Sequence, residues 1–350
     1  MNSERIFVVG TGIVNPLGQD AITVARFLSA GISAVQETEA LNKRLRAIKM
    51  ARVPEQILAA LNPQLASMAL PSRQERMLRL AGPALKQLAS LVQQHMPLPI
   101  VLALPEQIAH LSNQWKGNVV EQLALQSGIE LDMQSSLVAE IGRSGGLRAV
   151  KHVFDLMEAG HDLVLLGGVD TYWDAELLAR LDEEDRLLVQ SSTDGFQPGE
   201  GSCFVLLASE KLLSQLPPPH IAIYRPGNSE ENGHRYSDSP YRGDGLANAV
   251  RDAIEFAPVA IDRVWTSMIY DSFCNKEFGV AVTRNSRHFS PHVKFLHHAD
   301  CFGDLGAAVA TTLIAVIVAM SKYDQNFPRH HLLCCSSDTS YRSALRLDIF

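Results

Sequence analysis

The segment LGAAVATTLIAVIVAM, residues 305–320, holds sixteen residues without a charge, with Asp304 just before it and Lys322 just after. A helix that crosses a membrane needs roughly 20 apolar residues, so this segment predicts a helix buried inside the fold and no membrane span. Its surroundings repeat a pattern. VKFLHHADCFGDLG leads in as a strand and a glycine turn at Gly303 and Gly306, and HHLLCCSSD follows as a closing strand. The same order occurs earlier: a strand at 136–141, the turn Gly142-Arg143-Ser144-Gly145-Gly146, a helix from about 147 to 158, Gly160 as a stop signal, and the strand DLVLLGG. Two strand–turn–helix–strand units predict a duplicated α/β architecture, with halves at 1–210 and 220–350 joined across LPPPH at 216–220.

The remaining chain offers weaker signals. RIFVVGTGIV reads as a short buried strand ending in a glycine turn, and LPIVLALP at 98–105 as a second buried strand. Residues 20–91 read as mostly helical, interrupted by Pro54, Pro63 and Pro71, with a further helix around 118–125. The basic tract Asn42-Lys43-Arg44-Leu45-Arg46 reads as a solvated helix face, and 224–245, almost devoid of apolar residues, as a surface loop.

Charge and cysteine usage bound the function. A formal net charge of -7 over 350 residues argues against nucleic acid, because phosphate binding needs a basic surface. Five cysteines, at 203, 274, 301, 334 and 335, form no CxxC pair and suit a reducing compartment. The four-residue apolar run near the N-terminus is too short for a signal-peptide core, so a cytoplasmic protein is expected.

Three motifs invite chemistry. Gly10-Thr11-Gly12 lacks the third glycine and the acidic residue of a dinucleotide site, so no cofactor is expected. His297-His298 with Asp300-Cys301, and His330-His331 with Cys334-Cys335, match no metal-ligand spacing. Neighbours on a strand face opposite ways, so no metal is expected either. Gly142-x-Ser144-x-Gly146 matches the nucleophile elbow, and Asp170 and His298 follow in the order of a serine triad.

The most specific segment is LLGGVDTYWDAELLARLDEEDRLL followed by DGFQPGEGSCFVLLAS, within residues 165–209. Its core, Asp194-Gly195-Phe196-Gln197-Pro198-Gly199-Glu200-Gly201, resembles the β-ketoacyl-acyl carrier protein synthases of the thiolase-like superfamily. FVVGTGIVNPLGQD, SPYRGDGLANAVRDAIEFAPVAIDRV and FGDLGAAVATTL resemble further parts of that family in the same order, whereas residues 20–130 match poorly. The resemblance implies a five-layered αβαβα fold built from two similar halves.

It also implies a catalytic cysteine and two histidines, and none stands in its slot. The cysteine slot falls at Arg143, beside Ser144; the histidine slots fall at Ser267 or Met268, and at Gly303-Asp304. CCSSDTSYRS replaces the family's C-terminal glycine-rich loop. An arginine is neither nucleophile nor base near neutral pH. The resemblance therefore implies a catalytically degenerate member acting as a binding or adaptor subunit, in a homodimer or heterodimer. Its protein partner would be an active synthase subunit, an acyl carrier protein, or an effector of a bacterial secretion system. The alternatives are an acyltransferase or thioesterase using Ser144, assisted by His297 or His298, and a general α/β-hydrolase.

Overall fold

In the computed structural model, which describes residues 4–93, 95–108, 115–189, 194–255, 259–267 and 271–350, the chain begins with strand β1 (Arg5–Val14) and helix α1 (Ala21–Ser29). The hairpin β2 (Val35–Leu41) and β3 (Ala47–Ala51) follows, then helices α2 (Pro63–Ala66), α3 (Ser72–Lys86) and α4 (Ala89–Val92). Next come β4 (Ile100–Ala103), α5 (Val119–Ser127), β5 (Leu137–Ala139), α6 (Gly145–Arg148), α7 (Val150–Glu158), β6 (Leu163–Thr171), α8 (Ala175–Glu183) and β7 (Glu200–Ser209). The remainder runs through β8 (Ile221–Tyr224), β9 (Gly227–Glu230), α9 (Asp244–Ile254), β10 (Ile261–Thr266), α10 (Ser272–Arg284) and β11 (Phe289–His297). It ends with α11 (Ala299–Phe302), α12 (Val309–Tyr323), β12 (His330–Ser336) and β13 (Tyr341–Ile349).

One sheet carries the fold, in the order β11-β10-β12-β13-β8-β1-β7-β6-β4-β5, with β9 added against β13. From its centre, β1-β7-β6-β4-β5 on one side matches β8-β13-β12-β10-β11 on the other. On both sides the inner pairings are antiparallel and the outer ones parallel. The centre itself is the antiparallel pair β1–β8.

Alternation along the strands sorts side chains into layers. On β6, Val164 and Leu166 enter one core, while Leu163, Leu165 and Val169 enter another. On β7, Cys203, Val205 and Leu207 alternate with Phe204, Leu206 and Ala208 in the same way. The first set packs with α7 and α12, and so do Leu333 and Cys335 of β12 and Leu345 and Leu347 of β13. The second set packs under α3 and α5. Leu332 and Cys334 of β12 face α9 instead. Helices thus lie outside each half of the sheet and between the halves, which gives five layers.

The apolar run predicted as a buried helix is α12. Among the described residues, 306–323 is the one helical stretch apolar and long enough to cross a membrane, and 83% of it is buried in the fold. Pro63 and Pro71 mark helix starts, at the first turn of α2 and just before α3.

Four expectations are corrected. Residues 35–51 are a hairpin, not helix: β2 is mostly exposed and β3 buries only Ile48, Met50 and Ala51, too few apolar positions to set a period. The basic tract 42–46 is the tip of that hairpin. The buried Asn42 side chain accepts the N–H groups of Arg44 and Arg46 at 2.9 and 3.0 Å and closes the turn. Within 224–245, β9 pairs with β13, and buried Glu231 accepts the Gly245 N–H at 2.9 Å. The start of that segment is therefore a strand of the sheet, and 231–243 is the loop that follows it.

Lastly, Gly10-Thr11-Gly12 is not a turn. It lies inside β1, after a bulge between Val8 and Gly10, where α3 crosses the strand. A Cβ on Gly12 would sit 2.0 Å from the Ala84 carbonyl oxygen. Gly12→Ala is expected to destabilise the protein by at least about 2 kcal/mol, because backbone and not a flexible side chain must give way. Urea unfolding of the two proteins measures it.

Candidate functional site

The two glycine turns meet at the centre of the molecule. Each carries a glycine of positive φ, Gly142 at 69° and Gly306 at 51°, ahead of a short 3-10 turn and the buried helix behind it. Gly306 has no room for a side chain, since a Cβ would lie 2.0 Å from Asp170 Oδ2. That contact reflects how closely the turn wraps its acceptors: Ala307 N–H donates to Asp170 Oδ2 and Gly306 N–H to Asp304 Oδ1, both at 2.9 Å. Ser144 N–H donates to Ser337 Oγ at 3.1 Å. These three N–H groups are thus spent on internal acceptors.

Arg143, at the turn where the resemblance expects the cysteine, is 4% exposed. Its Nε donates to Asp304 Oδ2 at 2.8 Å, and Nη2 donates to the same oxygen and to the Tyr172 hydroxyl at 3.2 Å. Tyr172 in turn donates to Asp304 Oδ2 at 2.7 Å. The third nitrogen, Nη1, lies 3.1 Å from Asp338 Oδ1. Asp338 is also gripped by Arg186, at 2.9 and 3.0 Å, and by Arg235 at 3.3 Å, and Arg235 pairs with Asp271. Three guanidiniums and three carboxylates balance. The Phe196 ring supports two of the guanidiniums, with Arg143 at 5.6 Å and Arg186 at 5.3 Å from its centroid.

The electrostatics follow. Burial opposes the charge of Arg143, but Asp304 and Asp338 outweigh it and hold its pKa well above the usual value. Burial would likewise raise Asp338, yet Arg143, Arg186 and Arg235 keep it far below the usual carboxylate range. Tyr172 is pushed well up by burial, so it stays a neutral donor. Glu106, raised by burial and by Asp338, accepts the N–H groups of Asp338 and Thr339 at 2.9 and 2.8 Å and holds the loop that presents Asp338. The cavity beside Arg143 measures about 40 Å³ and is lined by Arg73, Glu106, Asp170, Tyr172 and Asp338 among others. That is room for a few waters, not for an acyl chain.

Ser144 is fully buried. Its hydroxyl lies 2.7 Å from Ser337 Oγ, which itself donates to the Ile141 carbonyl and accepts the Ser144 N–H. The Ser144 proton therefore points at Ser337, its only side-chain partner among the described residues. The triad partners lie elsewhere. Asp170 is held by Arg73 at 2.9 Å and by Ala307. His298 packs against Trp265 and Phe302, with ring centroids 5.5 and 6.2 Å away, and His297 ends β11 in register with Thr266.

Of the histidine slots, Asp304 holds Arg143, Gly303 forms the φ +70° turn before it, and Ser267 is buried with its N–H on the Cys334 carbonyl at 3.0 Å. Met268 lies outside the described residues. No group of three His, Cys, Asp or Glu side chains is placed to hold a metal among the described residues. Cys334 and Cys335 point to different cores.

No family profile and no curated protein matches the sequence. Solved structures do. A chain of the ketosynthase (ApeO) and chain length factor (ApeC) complex of Xenorhabdus doucetiae superimposes with a TM-score of 0.77 at 16% identity, covering 99% of this chain and 98% of that one. The chain has the thiolase-like ketosynthase fold. The ishigamide ketosynthase/chain length factor and a β-ketoacyl synthase from Burkholderia phymatum each give a TM-score of 0.74 at 15% identity, over 99% of this chain and 100% of theirs. In this fold the α/β-hydrolase reading of Gly142-x-Ser144-x-Gly146 has no place.

Tyr172, Arg186, Arg235, Asp338 and Glu106 belong to this ketosynthase-like site and were not singled out from the sequence. The one local signal was Asp338, inside the segment that replaces a glycine-rich loop.

Removing one partner of a buried ion pair strands the other, so Asp304→Ala is expected to cost about 3–5 kcal/mol. The double variant Arg143→Met/Asp304→Leu is expected to cost less than the sum of its single changes, by about 1–3 kcal/mol. Urea unfolding of Asp304→Ala and of the four proteins of the Arg143→Met/Asp304→Leu cycle measures both.

His331 gives a pH dependence. It is fully buried, accepts the Trp265 Nε1–H at 3.0 Å, and is pushed down from 6.5 to about 4 by burial. The unfolded chain binds this proton below pH 6.5 and the folded chain only near 4. Stability is therefore full above pH 6.5 and is lost as the pH falls toward 4. Tm is expected to fall more steeply over that window in the wild type than in His331→Gln.

Proposed function

We propose that this protein is a non-catalytic, ketosynthase-like binding subunit. The observation that carries the reading is the guanidinium of Arg143, locked to Asp304 and Asp338 where the fold would hold its nucleophile. A permanently charged, fully paired side chain cannot attack a thioester, and among the described residues no free base stands beside Ser144 to activate it. The cavity beside Arg143 is too small for an acyl chain, which supports surface recognition as the role.

The partner is a protein: an active synthase subunit, as a chain length factor serves a ketosynthase in the Xenorhabdus doucetiae complex, an acyl carrier protein, or a secretion effector. Two experiments test this. Intact-protein mass after incubation with acyl thioesters, and separately with a serine-directed phosphonate, is expected to show no adduct. An adduct that disappears in Ser144→Ala would overturn the reading. Purification at native expression level is expected to recover a partner protein in near-equal amount, whereas an isolated chain counts against a subunit role.

A further inference from the structure

Acidic residues are spread through this chain, 38 in 350, yet none occurs between Glu277 and Asp300. That gap covers the second half of α10 and all of β11, the last strand at one end of the sheet. It holds Arg284, Arg287, Lys294 and four histidines. Arg284 is paired with Asp244 at 2.6 Å. Arg287 gives its Nε to the His288 ring at 3.0 Å and meets no carboxylate among the described residues. Exposed Lys294 meets none among them either.

The sheet sets a second unpaired cation beside Lys294. β10 runs parallel to both β11 and β12, with Arg263 in register with Lys294 on one side and with His331 on the other. Neighbouring strands lie about 4.8 Å apart, so the two cations stand side by side. Two residues on, the same face carries Leu333, Trp265 and Leu296, which belong to the central core or pack on it. Half-buried Arg263 has no hydrogen-bond or ion-pair partner among the described residues. His331 is kept neutral by burial, and Asp262 is engaged with the His330 N–H at 3.4 Å. Like charges in adjacent register cost stability, and no carboxylate among the described residues offsets this contact. An edge lysine does guard a sheet against further strands, but that role needs no arginine one strand further in.

We propose that Arg263 and Lys294 dock an acidic, extended segment of a protein partner, whose carboxylates supply the counter-charge that this fold omits. Apolar contact on the same face favours a segment of chain over a simple anion. Leu296 is half-buried there, and so is Phe327, stacked on His331 with ring centroids 5.0 Å apart. With a net charge of -7, the rest of the chain repels such a segment, so the docking is local to this end of the sheet. The proposal rests on the binding-subunit reading and gives its partner a chemistry.

Fluorescence anisotropy of fluorescein-labelled octaglutamate, titrated with the full chain, tests it. Saturable binding that weakens between about 50 and about 300 mM NaCl is expected. Arg263→Gln and Lys294→Gln are each expected to weaken it about tenfold or more. Their Tm is expected to be unchanged or raised, because a like-charge contact is relieved. Lys151→Gln, at an exposed position on α7, is expected to leave binding unchanged. No saturable binding to the wild type below about 1 mM overturns the proposal, and so does binding that either variant leaves unaltered. A Tm lowered in both variants would give the pair a role in folding and overturns it too. Displacement by inorganic phosphate at matched ionic strength would mark a phosphate site in place of a peptide one. None of these results touches the adduct experiment, so the two readings fail separately.

Discussion

A guanidinium sealed from water must be given its counter-charges, and in this chain those charges come from far away in sequence. Asp304 lies 161 residues beyond Arg143 and stands at the other glycine turn, while Asp338 comes from the loop before β13. The desolvation cost of burying Arg143 is offset only when all three segments arrive together. The ion cluster therefore ties the entry of one central helix to the entry of the other and to the closing hairpin. The turns that the family resemblance marks thus meet in a structural joint.

The Asp194–Gly201 motif supports that joint. Phe196 underlies Arg143 and Arg186, and the backbone around Pro198 pairs with Asp304, whose N–H donates to the Gln197 carbonyl at 2.8 Å. Glu200, fully buried, binds Arg76 through both oxygens at 2.6 Å and accepts from Thr171 at 2.7 Å and from the Val53 N–H at 2.7 Å. Every lone pair that burial would penalise has a donor. In this structure the motif positions backbone and charge.

Much of this could be read from the residues in order. The apolar runs of β6, β7 and α12 announce elements buried on all sides, and the glycines at 142 and 306 mark the turns that feed the central helices. The slots at Arg143 and Asp304 were located by counting along the resembling segments, and the two side chains do meet. What stayed hidden is non-local. Nothing near Tyr172, Arg186 or Arg235 reveals that they converge on one cluster, since each has an ordinary neighbourhood in sequence. Gly12 looked like a turn because its reason, the passage of α3 at Ala84, lies 72 residues away. The hairpin at 35–51 escaped because a half-exposed strand carries little apolar period.

The joint also limits which single substitutions its centre can take. Placing a thiol at position 143 would leave Asp304 and Asp338 buried without their common partner, and Arg186 and Arg235 would have to be rebalanced as well. Each step alone lowers stability, and only several together lead to a usable nucleophile. A single substitution in this centre therefore costs more than a single substitution at the exposed surface.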